Sequence, residues 1–159
     1  MFNVINGLPV HPLVVHAVVV LLPLAILGTV ALVLRPAWRH SYGPLLVGCS
    51  LVATVLIPIA TSSGEQLERH VGDPGQHARL GDQLIWFALP LLLLDIVLVV
   101  LDRRGRTGNP MRVVGVLAVV AAVAAGVQVY RVGDSGARAA WAAQVQNTIP
   151  SSASSAAGN

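Results

Sequence analysis

The sequence predicts an all-α integral membrane bundle of four transmembrane helices. Three observations carry that expectation. The 159 residues are 55% hydrophobic and only 11% charged, whereas globular domains carry about 25% charged residues. Four apolar runs, at about 12–34, 43–61, 82–101 and 112–130, approach the roughly 20 helical residues that a hydrocarbon core demands. Arginines, tryptophans and short polar segments separate the runs, which is where membrane boundaries put them.

The first run opens at His11-Pro12. A residue before proline is pushed away from helix, and proline fits the first helical turn. From Leu13 to Leu34 only His16 and Thr29 interrupt apolar residues and glycine. Pro23 removes one backbone hydrogen bond in mid-span and predicts a kink that neighbouring helices absorb. The N-terminus lacks a basic n-region, and its apolar run is too long for an h-region, so the span is expected to be retained.

Arg35-Pro36-Ala37-Trp38-Arg39-His40 marks the first boundary, and the second run follows with Pro58 near its far end. Ser62–Asp82 is the longest polar stretch and is expected to be a loop, with one helical turn over Glu65–Val71 broken by Gly72, Pro74 and Gly75. The third helix is expected from about 78, with Pro90 and a deep Asp95. Asp102, Arg103, Arg104, Arg106 and Arg112 make the next short boundary. In the fourth helix, at about 110–132, Ala118, Ala122 and Gly126 recur every four residues, as do Ala121 and Ala125. Small residues at that spacing let helices approach closely in lipid. Arg131–Arg138 is expected to leave the membrane, with Gly133–Gly136 as a turn. Residues 1–141 are then one domain, and 142–159 a disordered Ser/Ala-rich tail.

Net charge is +3 and every basic residue is arginine. The arginines are scattered over helix ends without a dense patch or interleaved aromatics, which excludes a nucleic-acid reading. No nucleophile elbow, phosphate loop or paired-carboxylate motif is present, so catalysis is uncertain and disfavoured. Cys49, inside an apolar run, reads as a buried structural thiol. Arg35, Arg39, Arg103, Arg104, Arg106 and Arg112 occupy the short connections after spans one and three, against Arg69, Arg79, Arg131 and Arg138 on the other face. The concentration in very short loops predicts that both termini face outside.

With that topology His11, His16, the Glu65–His77 stretch and the end of helix four meet on the outer face. The segments Phe2–His16, Gly64–Glu68, His77–Asp82 and Arg131–Arg138 resemble the DUF2231 family of bacterial four-span membrane proteins, over about 2–141. The resemblance implies a bacterial plasma membrane protein but brings no established activity. Some relatives are joined to Rieske or cytochrome c domains, which implies redox work and a redox or membrane-protein partner. Many relatives have histidine where Asp134 stands. If that histidine is a ligand in them, this chain has lost or replaced it.

His16 suits a haem b ligand, because opposed neutral imidazoles hold membrane b-type haems. His77 is its best opposing candidate and His11 a further one. Five residues put His11 and His16 about 140° apart on a helix, so both reach one metal only if His11 is non-helical. The bland alternative is a His16 bonded to a backbone carbonyl or to Glu65. His70 and His77 with Glu65 and Glu68 could take zinc or copper, although no tight ligand spacing appears. Glu65 or Glu68 pairing with Arg131 or Arg138, beside Asp134, would tie the loop to helix four. Asp95 lies about 20 Å below Asp82. A charge there costs about 2.5–3.5 kcal/mol on insertion scales, so it is a proton relay, a protonated carboxyl bonded to a neighbouring helix, or one reaching toward the inner interface. Three functional readings follow: an outward-facing site that binds haem b or a metal for electron transfer, a non-catalytic scaffold or accessory subunit, and a small transporter or proton channel.

Overall fold

The computed structural model describes residues 4–5, 8–71 and 76–148, with side chains at 13–64, 77–138 and 141. A short antiparallel ladder comes first, β1 (Val4–Ile5) against β2 (Leu8–Pro9), pairing Val4 with Pro9 and Ile5 with Leu8. Helix α1 (Val10–Leu34), a 3₁₀ turn (Pro36–Trp38), α2 (Arg39–Val71), α3 (Gln76–Gln83), α4 (Ile85–Arg103) and α5 (Asn109–Thr148) follow. Among the described residues, four segments are long and apolar enough to cross a membrane: Leu13–Leu34, Pro36–Gly64, His77–Arg103 and Asn109–Arg138.

Two expectations need correction. The polar stretch 62–82 is not mainly a loop: α2 continues to Val71 and α3 begins at Gln76. Nothing before Gly72 stops a helix, because a lone Gly64 only weakens one. The turn expected at Gly133–Gly136 is continuous helix, and α5 runs through it to Thr148. Each glycine costs about 1 kcal/mol in a helix interior, and packing against α3 offsets that cost. The third span is two helices joined at Leu84, where the ladder continues through Leu84 N–H to Gly81 O and Ala88 N–H to Leu84 O.

The helices close into a ring: α1 packs on α2 and α5, and α4 packs on α2 and α5. α1 and α4 therefore face each other across the centre. Small side chains set the spacing, since lipid gives apolar helices no hydrophobic drive to associate. Ala25, Ala53, Ala118, Ala122 and Ala125 are completely buried, and Leu22, Leu91 and Leu98 fill the space they leave. A Cβ on Gly43 of α2 would stand 2.8 Å from Val99 of α4, and one on Gly115 of α5 would stand 3.4 Å from Val33 of α1. These contacts put the start of α2, the end of α4, the start of α5 and the end of α1 at one end of the bundle.

Both connections at that end are tightly built. Buried Arg39 donates from Nε to Leu32 O at 2.8 Å and from Nη2 to Val33 O at 3.1 Å. It thus satisfies carbonyls that α1 leaves unpaired at its C-terminus, where positive charge is favoured. α4 ends with Gly105 N–H donating to Asp102 O and Arg106 N–H to Leu101 O. That pairing needs a left-handed residue, and Gly105 supplies it at φ +64°.

Candidate functional site

Two polar regions interrupt the hydrocarbon. The first is central. Asp95 on α4 is completely buried, and hydroxyls from two other helices reach its two oxygens. Thr29 Oγ1 of α1 lies 2.8 Å from Oδ1, and Ser50 Oγ of α2 donates to Oδ2 at 2.6 Å. Thr29 Oγ1 also lies 2.9 Å from Ala25 O. A hydroxyl has one proton, so Thr29 cannot donate to both acceptors. The count closes when Thr29 donates to the carbonyl and the carboxyl carries its own proton on Oδ1. Thr54 donates to Ser50 O at 2.7 Å, which fixes that turn of α2. Among the described residues, no buried side-chain nitrogen or oxygen lacks a partner.

The alternative reading of Asp95, a carboxyl bonded to neighbouring helices, is therefore what the geometry holds. Sequence reasoning missed both partners. Thr29 was the available signal, as the lone hydroxyl of the first span; counted from the arginine boundary, it sits within little more than a helical turn of Asp95 and Ser50.

The second region lies at the other end, between α3 and α5. His77 is half-buried, with Nδ1 3.1 Å from Val132 O and 3.2 Å from Ser135 Oγ. Ser135 gives its proton to Val132 O at 2.8 Å. Both neighbours of Nδ1 are then acceptors, so Nδ1 carries a proton and donates to them. The ring lies against Gly136, where a Cβ would stand 3.0 Å from Cε1. Buried Gln128 donates from Nε2 to Leu80 O at 3.0 Å and adds a second tie between α5 and α3. Arg138 pairs with Asp134 one turn back, Nε to Oδ2 2.9 Å. These two residues with Leu80, Tyr130, Arg131 and Ser135 line an open cavity of about 280 Å³.

Of the expected site residues, the structure brings His77 to α5, beside Asp134 and Arg138. His16 is exposed on α1, while α3 packs against α2, α4 and α5. The His77 ring points at α5 because Gly136 leaves room for it there. The side chains of His11, Glu65, Glu68 and His70 lie outside the described residues. Arg138 finds its carboxylate on its own helix. Among the described residues, no group of three or more His, Cys, Asp or Glu is placed to hold a metal ion. Cys49 is half-buried and donates from Sγ to Leu21 O at 3.4 Å, as a structural thiol does.

The Gly136 contact is testable. Gly136→Leu is expected to expel the His77 ring and cost about 1–3 kcal/mol, as overpacking does. Amide exchange over α3 should then rise, with the central cluster unchanged. Unaltered protection of α3 would mean that the ring does not tie the two helices together.

No curated protein and no solved structure matches this chain. The model of one family, described as a predicted membrane protein, matches residues 7–149, and the chain belongs to that family, DUF2231.

Proposed function

We propose that the protein is a non-catalytic membrane scaffold or accessory subunit. The observation behind this reading is the closed interior: Asp95, the one carboxyl completely buried among the described residues, has both oxygens taken by hydroxyls of its own chain. A buried acid that served a substrate or a proton path would need a face open to it. The working surface is then the polar end built from α3 and α5. We place that end outside a bacterial plasma membrane, with residues 1–141 as the membrane domain and both termini on the same side. Purification in a mild detergent is the test. Stoichiometric membrane partners and a colourless preparation are expected; a lone monomer carrying a cofactor would overturn the reading.

One observation favours haem b or a metal at the same end. A carbonyl accepts the His77 Nδ1 proton, which is how ligating histidines are oriented, with Nε2 the atom that would ligate. His16 or His11 would be the opposing ligand. An absorbance spectrum of the purified protein separates the two readings. A Soret band lost in His77→Ala supports haem; no band and no bound metal removes it.

A further inference from the structure

The end of the bundle away from His77 carries an unusual surface. The Gly43–Val99 and Gly115–Val33 contacts bring the α1–α2 and α4–α5 connections together there. Arg35 belongs to the first connection; Arg103, Arg104, Arg106 and Arg112 belong to the second. All five side chains are exposed. The ion pair found among the described residues, Asp134 with Arg138, is at the opposite end. Among the described residues, Asp102 is the lone acid at this end, against five exposed guanidiniums.

The backbone beneath these arginines is pinned. At the α4 cap Arg104 N–H donates to Val100 O, Gly105 N–H to Asp102 O and Arg106 N–H to Leu101 O. Buried Arg39, spent on the α1 carbonyls, fixes the first connection. Arg35 lies over Trp38 at 5.6 Å, and Trp38 meets Tyr42 edge-on at 6.2 Å. Both aromatics are exposed. Tryptophan and tyrosine in that setting mark the headgroup level of a bilayer. Arginines at that level would meet lipid phosphates, and a guanidinium fork matches a phosphodiester with two parallel hydrogen bonds.

We propose that this end binds anionic phospholipid headgroups, whose phosphodiesters bridge the α1–α2 and α4–α5 connections. The preference goes beyond a charge bias that merely orients the chain. It requires the guanidinium fork, not positive charge alone.

The full chain is reconstituted in nanodiscs of one third phosphatidylglycerol and two thirds phosphatidylcholine, and the lipid retained on gentle release is measured by native mass spectrometry. A several-fold enrichment of phosphatidylglycerol is expected, declining as salt screens the contacts. The Arg103→Gln, Arg104→Gln, Arg106→Gln triple variant should fall close to parity with phosphatidylcholine. The corresponding Lys triple variant keeps the charge that sets orientation and should retain only part of the enrichment. Arg131→Gln with Arg138→Gln, at the other end, should leave it unchanged. Equal enrichment in the wild-type and Gln proteins overturns the proposal. So does full retention by the Lys variant, or displacement of the lipid by an added oligonucleotide.

Discussion

Replacing Asp95 with leucine is expected to cost about 2–4 kcal/mol of stability, while Asp95→Asn costs less than about 1 kcal/mol. Hydrogen bonds between membrane helices average about 0.6 kcal/mol and reach about 1.7. Leucine removes two, one shared with Thr29 and one with Ser50. It also puts a branched side chain where a carboxyl fitted, and overpacking adds about 1–3 kcal/mol. Asparagine is different because it copies the neutral acid. Its Nδ2 donates to Thr29 Oγ1, which still gives its proton to Ala25 O, and its Oδ1 accepts from Ser50. Reversible unfolding in a mixed detergent checks the pair. Equal losses in both variants would mean that the acid itself, and not the shape of its hydrogen bonds, holds α1, α2 and α4 together. The same pair addresses transport: unchanged proton or solute flux in the Asn variant, with the fold intact, removes Asp95 as a relay.

Gly43→Ala is the second large effect, expected at about 1–3 kcal/mol. The new methyl would stand 2.8 Å from Val99 Cγ2 and 3.3 Å from Cγ1. Valine is stiff at χ1, so it cannot turn aside, and α2 and α4 must separate. Val99→Ala alone should cost about 1 kcal/mol through lost packing. Combined, the two substitutions should cost clearly less than their sum, because the second removes the atoms that the first strikes; contacting residues couple in this way by about 0.5–3 kcal/mol. Strict additivity would show that the close approach of the two helices is not where the strain arises.

The four spans were legible because lipid admits only long apolar helices, and their ends were marked by arginine, tryptophan and proline. Their rotation was not legible. α1 is apolar almost all round, so no stripe showed which way Thr29 points, and the partners of Asp95 stayed hidden although the residue itself stood out. The polar end was legible in part. His77, Asp134 and Arg138 belong to one region, but neither the Gly136 seat nor the Val132 carbonyl is visible in a pattern of side-chain types. The extra helix in α2 was missed because the polar run from Ser62 reads as a loop, and that in α5 because Gly133–Gly136 reads as a turn. Tertiary contacts outweigh a propensity cost of that size.

α5 has 40 residues, which at 1.5 Å each make a rod of about 60 Å. A bilayer with its headgroups is about 40–45 Å thick. With its N-terminus level with the arginine boundary, such a rod overshoots the opposite water interface by about 15 Å, even allowing a typical tilt of about 20°. Trp141 rides on this mast. The last turns of α5 thus stand clear of the lipid, and whatever meets them does so in water, not at the headgroups.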